Sequence, residues 1–335
     1  MTRIVQIGLG PVGLRTLACA LERPENKLVA AVDSDPDKIG RDVGRLLGRA
    51  KLGVTVAPQL PAAARRAKVA LVTTVSSLEA CAPTLIACAQ AGLHVVTTCE
   101  ELAFPWVTQP GPARRLDRAF RASGTACLGT GVNPGFLMDY LPVVLSSVCR
   151  KVEKITVRRT QNASPRRIPF QQKIGVGLAP AMFRKRAREG SLRHVGLSES
   201  VHGIAHALGW RLDTVREILK PVIADEPTAA GYQPVLAGQA RGVEQIARGM
   251  VGGRERIRLH FRAAIAEPDP EDSVEIVGDP GFLSRIPGGI HGDTATAAIA
   301  ANAISAVLRA EPGLRTMFDT PVPAGRGVQG MVGRG

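Results

Sequence analysis

The chain has 335 residues, 45% of them hydrophobic and 21% charged, a balance that predicts a folded globular protein of two domains, or of one domain with a large insertion. Its formal net charge of +14 is spread over scattered arginines, and only 4% of the residues are aromatic, so the composition argues against a nucleic-acid-binding protein. There is no run of roughly 18 apolar residues, which excludes a membrane helix, and the six cysteines form no Cys-x-x-Cys pair, which argues against a zinc site.

Strand-like and helix-like segments alternate through the first hundred residues. The first run, Arg3–Ile7, has no secretory signal before it, so we expect a cytoplasmic protein. Short apolar strands that alternate with helices indicate a parallel sheet covered on both faces, which is the doubly wound α/β fold of Rossmann domains. The strand-like segments are Ile4–Ile7, Lys27–Val32, Val69–Val75 and Leu93–Thr98, and the helix-like ones are Gly13–Arg23 and Leu78–Ala91.

A glycine-rich motif follows the first strand. It reads Gly8-Leu9-Gly10-Pro11-Val12-Gly13, which fits G-x-G-x-x-G, and Asp33 follows at the end of the second strand. Glycines in this context let the backbone turn tightly and approach a pyrophosphate, and the helix N-terminus offers free amides and a positive dipole to the phosphates. The motif and its strand–helix context therefore predict a dinucleotide site.

Asp33 determines which cofactor we expect. Its carboxylate can accept hydrogen bonds from both hydroxyls of the adenine ribose, and its charge would repel a 2′-phosphate. Arg41 comes eight residues later and would offset part of that repulsion. We therefore expect NAD as the preferred cofactor and keep NADP as the alternative.

The ends of the next two strands supply further candidate cofactor contacts. Ligands of open α/β sheets bind at the carboxyl ends of the strands. The sequence places Thr73, Thr74 and Val75 at one such end and Thr98 at the other. Hydroxyl groups suit contacts with the nicotinamide half of the cofactor, although threonine is also a common strand residue. We assign these four residues to the cofactor site.

The pattern changes after Pro134. Glu153–Thr160 and Arg256–Ile265 alternate apolar and polar residues, as strands with one solvated face do. The pattern predicts an α+β domain at residues 136–290, inserted into a Rossmann domain at residues 1–135 that is completed by a helix at residues 293–308. Residues 325–335 are Gly-rich and basic, so we expect a disordered tail. The helix-like stretches within the inserted domain are Ala181–Glu189, Ser198–Gly209 and Leu212–Leu219.

Segments spread along most of the chain resemble the 2,4-diaminopentanoate dehydrogenases and the related native amine dehydrogenases. These segments are Thr97–Leu102, Gly131–Phe136, Arg166–Gly175, Ala207–Trp210 and Ile290–Thr296. The first domain also resembles that of dihydrodipicolinate reductases, but the second domain lacks the His-His run and the Pro-Ser-Gly-Thr loop of that enzyme.

The resemblance implies a reversible reaction. NAD(P) oxidises a small amine to an imine, which water hydrolyses to a ketone or aldehyde and ammonia, and the reverse direction is reductive amination. The resemblance also implies a homodimer, in which the second domain supplies the interface and the substrate pocket. Two alternatives stay open: another NAD-dependent dehydrogenase, acting on an amino acid or aldehyde, and a non-catalytic NAD-sensing regulator.

Glu100 and Glu101 are the candidate catalytic residues. The resemblance implies a catalytic glutamate in this segment, and Glu100 is preferred because the equivalent place in homoserine dehydrogenases, whose first domain is related, holds a catalytic lysine. Two adjacent acids cannot both point into one pocket, so Glu101 is the second choice. A buried glutamate here would transfer protons to and from ammonia, water and the carbinolamine.

Four residues form the predicted substrate pocket. Asn133, Pro134 and Phe136 lie where the two domains join, and the side chain of Asn133 can tether the nicotinamide or the substrate. The resemblance adds His260, because the family has a histidine near the substrate pocket on this strand. Two other histidines stand one helical turn apart, but no third ligand is visible and the family needs no metal, so no metal site is expected.

Overall fold

A computed structural model describes residues 1–325 and 327, which form two compact units. The first unit consists of residues 1–99 and 111–131 and the described residues from 293 onward. The second consists of residues 100–110 and 132–292. No helix in the described part of the chain is both long enough and apolar enough to cross a membrane. Most of the tail predicted at residues 325–335 lies outside the described residues.

Strands and helices are numbered here in chain order. The strands are β1 (Thr2–Ile7), β2 (Asn26–Val32), β3 (Val56–Ala57), β4 (Val69–Val72), β5 (His94–Thr97), β6 (Ala126–Gly129), β7 (Lys151–Asn162), β8 (Thr214–Ile223), β9 (Ala240–Val251), β10 (Arg254–Ala264), β11 (Glu271–Asp279), β12 (Phe282–Pro287) and β13 (Gly313–Arg315). The α-helices are α1 (Pro11–Leu21), α2 (Val43–Leu46), α3 (Leu78–Gln90), α4 (Pro105–Thr108), α5 (Pro110–Ala122), α6 (Tyr140–Ser146), α7 (Ile168–Lys173), α8 (Pro180–Arg188), α9 (Leu197–Ala207), α10 (Gly292–Asn302) and α11 (Ile304–Val307).

A parallel sheet forms the centre of the first unit. Seven of the described strands lie in the order β13-β6-β5-β4-β1-β2-β3, and each neighbouring pair is parallel. Every residue of β4 is fully buried, as expected for a strand covered on both faces. Helices α1 and α3 pack against this sheet. The Rossmann-type fold predicted from the sequence is confirmed.

Two elements of the first unit differ from the prediction. The strand predicted at Val69–Val75 ends at Val72. The helix predicted at residues 293–308 is interrupted at Ala303, so that α10 and α11 are separate. The alanine-rich sequence contains no glycine or proline at the interruption, so no local signal announces it.

A mixed sheet forms the frame of the second unit. Its described strands lie in the order β12-β11-β7-β10-β9-β8, in which β7 and β10 run parallel and the other neighbours are antiparallel. The face that carries Ile257, Leu259 and Phe261 is buried. Helix α9 packs on this face, where a Cβ on Gly249 would lie 2.8 Å from a methyl carbon of Val201. The α+β class predicted for this part of the chain is confirmed.

The helix predicted at Leu212–Leu219 is wrong, because strand β8 occupies residues 214–223. This strand pairs antiparallel with β9 along its whole length. The carboxylate of Asp213, which resembles a helix-start acid in the sequence, instead accepts a hydrogen bond from the N–H of Gly253 at 2.9 Å. Pairing with a long neighbouring strand outweighs a weak local helix preference.

The division between the units also differs from the predicted domain boundary. The first unit stops at Gly131 rather than at residue 135, and residues 100–110 belong to the second unit. Within the second unit, α4 packs against α9, and the rings of Phe104 and His206 lie 5.2 Å apart. These contacts join residues about 100 positions apart, so the linear sequence could not reveal them.

Candidate active site

The turn between β1 and α1 has the geometry of a phosphate-binding turn. Gly8 has a φ of +86°, and a Cβ there would lie 2.6 Å from the carbonyl oxygen of Thr73. A Cβ on Gly13 would lie 2.0 Å from the carbonyl oxygen of Gly8, whereas one on Gly10 would meet nothing within 4 Å. Pro11 then begins the helix. Packing therefore requires two of the glycines, and the open side of Gly10 leaves the backbone at the N-terminus of α1 accessible to a ligand.

Asp33 ties this turn to the end of β2. Its Oδ2 accepts a hydrogen bond from the N–H of Leu9 at 2.6 Å, and its Oδ1 accepts one from the backbone N–H two residues later at 2.9 Å. The ammonium group of Lys38 lies 3.5 Å from the same carboxylate. The guanidinium of Arg41 instead reaches a backbone carbonyl oxygen at 3.5 Å. Lys38, rather than the expected Arg41, offsets part of the charge of Asp33.

The four residues assigned to the strand ends have different environments. The hydroxyl of Thr73 donates to the carbonyl oxygen of Gly8 at 2.9 Å and accepts from a buried glutamine amide at 2.8 Å, so this residue braces the glycine turn. Thr74 and Val75 follow the end of β4 and are exposed. Thr98 follows the end of β5 and is half-buried. The last three side chains are therefore more accessible than that of Thr73.

Glu100 is held by a lysine from a distant segment of the second unit. It begins a short 3₁₀ turn, Glu100–Leu102, and its Oε2 lies 3.2 Å from Nζ of Lys173, the last residue of α7. The side chains of Glu100 and Lys173 are 24% and 35% exposed. The carboxylate is therefore both held in place and accessible to a small molecule.

Glu101 points into a different environment. Its carboxylate accepts a hydrogen bond from Nε2 of Gln109, and Nη2 of Arg193 lies 3.9 Å from it. Glu199 lies close enough for the charge of Glu101 to act on it, and the pKa of Glu199 is raised mainly by burial and further by that charge. The two adjacent acids therefore have different partners, Lys173 for Glu100 and Gln109 and Arg193 for Glu101.

His194 and Asn133 are joined by a hydrogen bond of 2.9 Å between Nε2 and Nδ2. Burial lowers the pKa of His194 to about 4, an effect that the charge of Glu100 opposes, so the imidazole is neutral near pH 7. Lys173 also acts electrostatically on this ring. We call Glu100, Lys173, His194 and Asn133 the acid–base cluster.

Pro134 and Phe136 lie beside this cluster in the chain and have packing roles. A Cβ on Gly196, whose φ is +105°, would lie 2.3 Å from Cγ of Pro134, so the loop that carries His194 rests closely on this proline. The ring of Phe136 is half-buried and lies 6.2 Å from that of Tyr140. The structure thus brings Asn133 and Pro134 together with the loop of His194.

His260 lies on the other face of the sheet. Consecutive side chains of a strand point to opposite faces, so His260 points away from its neighbour Phe261, whose ring contacts His194. Its Nε2 lies 2.8 Å from Oε1 of Glu244 on β9. The structure therefore does not bring His260 to the acid–base cluster.

An open pocket of about 540 Å³ in the second unit contains both tryptophans of the chain. It is lined by Phe104, Trp106, Val107, His202, Ala205, His206, Trp210 and Leu212. This lining includes the two histidines that stand one helical turn apart, and burial lowers the pKa of His202. Within the part of the chain that the structure describes, no group of three or more His, Cys, Asp or Glu side chains is arranged to hold a metal ion.

The two units together indicate the class of protein. A glycine turn open to a phosphate, with an aspartate at the end of the following strand, is how Rossmann domains bind dinucleotides, and an accessible carboxylate near a neutral imidazole suits proton transfer. This class is that of the nicotinamide-dependent oxidoreductases. Within it, the sequence profile of the family described as 2,4-diaminopentanoate dehydrogenase C-terminal domain matches residues 136–331, and the chain belongs to this family.

Known proteins agree with this assignment. A 2,4-diaminopentanoate dehydrogenase of Acetoanaerobium sticklandii is 34% identical over 69% of this chain and 67% of its own length. An amine dehydrogenase of Streptomyces virginiae is 26% identical over 96% of this chain and 97% of its own. The solved amine dehydrogenase from Mycobacterium smegmatis has the same fold, with a TM-score of 0.86, 22% identity and 97% coverage of both chains. The family resemblance predicted from the sequence is confirmed, and with it an oxidoreductase of the amine dehydrogenase type.

Two residues of the acid–base cluster have no role in the sequence-based prediction. Lys173 lies within the segment Arg166–Gly175 that resembles the family, and that resemblance is the one signal that could have drawn attention to it. His194 lies in an irregular loop without a recognisable motif. Periodicity and spacing cannot identify such residues, because their importance comes from contacts between distant segments.

Proposed function

We propose that this chain is an NAD-preferring amine dehydrogenase, which oxidises a small amine to a ketone or aldehyde and ammonia and, in reverse, catalyses reductive amination. The observation that carries the proposal is the Glu100–Lys173 contact, which holds an accessible carboxylate in place in a protein of this family. Both relatives are named as dehydrogenases of amines, which supports an amine as the substrate.

The first unit would hold the cofactor. The open backbone at Gly10 and the N-terminus of α1 would take the pyrophosphate, and Asp33 the hydroxyls of the adenine ribose. Thr74, Val75 and Thr98 would contact the nicotinamide half. When bound, the nicotinamide supplies the two-electron acceptor of the oxidation. The space around Gly10 is free, whereas Gly8 and Gly13 are tightly packed. This difference supports binding of the pyrophosphate at Gly10.

Glu100 would move the protons that the reaction requires. As a carboxylate it would take a proton from the substrate ammonium, and later help water to add to the iminium and ammonia to leave the carbinolamine. Once that proton has passed to solvent, which reaches the partly exposed side chain, its restored negative charge would also favour the iminium cation over neutral species. Lys173 holds Oε2 and leaves Oε1 for this work. Glu101 has its own partners, Gln109 and Arg193, and would take no part.

Asn133, Pro134 and Phe136 would border the substrate. Asn133 is bonded to His194 and so belongs to the acid–base cluster, and Pro134 supports the loop of that histidine. His260 would serve elsewhere, since its side chain lies on the opposite face of the sheet. This arrangement favours a small substrate whose polar group is recognised by a few side chains.

The open face of the second sheet would form a homodimer interface. The strand register places Ile218, His260 and Leu283 on this face, opposite the one that α9 covers. Ile218 and Leu283 are 40% and 46% exposed, although both are large and apolar. Large exposed apolar side chains on a sheet face support burial against a second copy.

A direct test measures NADH oxidation with a panel of ketones and aldehydes, each with and without ammonium. We expect NADH oxidation that depends on ammonium. The Glu100→Gln variant should lose most of this ammonium-dependent activity. Turnover that is independent of ammonium would identify a different NAD-dependent dehydrogenase. NADH binding without any turnover would identify a non-catalytic sensor.

A further inference from the structure

His194 is fixed from several sides although it lies in an irregular loop. The fully buried side chain of Gln245 bonds both backbone groups of His194, accepting from its N–H at 2.8 Å and donating to its carbonyl oxygen at 2.9 Å. Phe261 meets the imidazole edge-on, with ring centroids 4.4 Å apart. A loop residue whose backbone and ring are both held is a rigid support for whatever its ring nitrogens bind.

The hydrogen bonds of this ring determine which way the amide of Asn133 points. Nδ1 of His194 lies 2.8 Å from the carbonyl oxygen of Val195, which can only accept, so Nδ1 carries the proton. In a neutral ring Nε2 then has no proton and accepts. Its partner at 2.9 Å must be the Nδ2 amide group of Asn133, so the direction of the amide follows from its chemistry.

This arrangement leaves Oδ1 of Asn133 buried and, among the described residues, without a hydrogen-bond partner. A buried acceptor without a donor is costly, so a ligand that brings an N–H to it gains affinity. Glu100 lies near enough for its charge to act on the ring of His194. A carboxylate and an amide oxygen together suit a cationic nitrogen with two or more N–H bonds, such as an ammonium or a protonated imine.

We propose that Oδ1 of Asn133 binds the reacting nitrogen of the amine, ammonia or iminium, and that His194 is a positioning residue that holds this oxygen in place. The proposal rests on the amine dehydrogenase function proposed above. It gives the site a means to favour nitrogen species, because a ketone oxygen has no proton to donate to Oδ1.

Three variants separate this role from a structural one. Asn133→Leu removes the acceptor, His194→Phe frees the amide to turn, and His194→Gln keeps one acceptor and one donor on a similar side chain. We expect the KM for ammonium to rise about tenfold or more in the first two and to return to within about threefold in His194→Gln, since a hydrogen bond to a charged group is worth at least that factor. The Kd for NADH, from fluorescence titration, should not change. A raised Kd for NADH with an unchanged KM for ammonium would overturn the proposal, because Oδ1 would then serve the nicotinamide carboxamide.

A measurement without turnover makes the result independent of the proposed function. In protein saturated with NADH, which cannot oxidise an added amine, and labelled with ¹⁵N-histidine, the His194 signals are those lost in His194→Gln. We expect the Nδ1-protonated tautomer at pH 7, and a shift of these signals on titration with isopropylammonium that Asn133→Leu abolishes. The other tautomer, or the absence of a shift, would overturn the proposal. Failure of ammonium-dependent turnover alone would overturn the proposed function and leave this binding result intact.

Discussion

Nζ of Lys173 lies 3.2 Å from Oε2 of Glu100, although 73 positions separate the two residues in the chain. The lysine is the last residue of α7, and the glutamate begins a turn three residues after the end of β5. The carboxylate of Glu100 is accessible to a ligand, and the lysine pairs its negative charge. An unpaired, partly buried charge would be costly in free energy. A group held in this way can exchange protons and keep its position between turnovers.

Glu100→Gln should therefore abolish most of the activity. The substitution keeps the shape of the side chain and its contact with Lys173 but removes the group that titrates. Loss of a general acid/base typically lowers the rate by about 10²–10⁴-fold, so kcat should fall by that order while NADH still binds. Glu101→Gln is the matched control, and its kcat should change by less than about tenfold, which corresponds to 1.4 kcal/mol. The opposite order of effects would assign the catalytic role to Glu101.

Substitution of Lys173 should impair catalysis through Glu100. Lys173→Met keeps most of the length of the side chain but removes the charge that holds Oε2. The kcat/KM should fall by up to about fivefold, a modest effect because a partly exposed ion pair is worth up to about 1 kcal/mol. Lys173→Arg should recover most of the loss. In Glu100→Gln the further change Lys173→Met should have little effect on kcat/KM, and full additivity of the two losses would show that the lysine acts elsewhere. Lys185→Met, on an exposed position of α8, is the control.

Asp33→Ala should change the cofactor preference. The variant loses the acceptor for the ribose hydroxyls, and Lys38, which lies 3.5 Å from that carboxylate, becomes free to meet a 2′-phosphate. The ratio of kcat/KM for NADH to that for NADPH should fall by at least about tenfold, and Asp37→Ala, on the same loop, should leave it unchanged. Equal values for the two cofactors in the unmutated enzyme would remove the basis for this prediction.

Local patterns in the sequence were sufficient to predict the first unit. The glycine motif, Asp33 and the short apolar strands each depend on neighbouring residues, and the structure places them as expected, with Gly8 and Gly13 tightly packed and Asp33 bonded to the glycine turn. The exceptions are the strand end at Val72, three residues earlier than predicted, and the helix break at Ala303, where the alanine-rich sequence has no distinguishing feature.

The second unit could be predicted only in part, because its contacts join distant segments. Strand β8 has a weak helix-like pattern and becomes a strand because β9 pairs with it. His260 was placed in the substrate pocket by family resemblance, whereas the alternation of β10 turns it to the other face. Lys173, at the end of α7, contacts Glu100, and His194, in an irregular loop, contacts Asn133. No periodicity in the sequence marks such positions.

The protein should be a dimer in solution at micromolar concentration. Light scattering should give twice the mass of the 35.4 kDa chain. Leu283→Asp places a charge on the open face of the second sheet and should shift the protein toward monomer, because an unpaired charge is costly to bury in an interface. Val148→Asp is the control, since Val148 is 69% exposed but does not belong to that sheet. A monomeric unmutated protein would contradict the proposed interface.

Stability should depend on pH through His194. Burial lowers the pKa of this side chain to about 4, whereas an unfolded chain has a histidine pKa of about 6.5. Between these values the unfolded chain binds a proton that the folded protein does not, so the free energy of unfolding decreases as the pH falls through this range, by about 1.4 kcal/mol per unit.

His194→Gln is the control, because glutamine does not titrate in this range. Between pH 7 and 5, urea denaturation should show a decrease up to about 2 kcal/mol larger in the unmutated protein than in His194→Gln. Other buried groups, such as Asp139 and Glu199, are common to both proteins and cancel in the comparison. If the free energy of unfolding changed equally with pH in the two proteins, His194 would take up its proton as readily in the folded protein as in the unfolded chain.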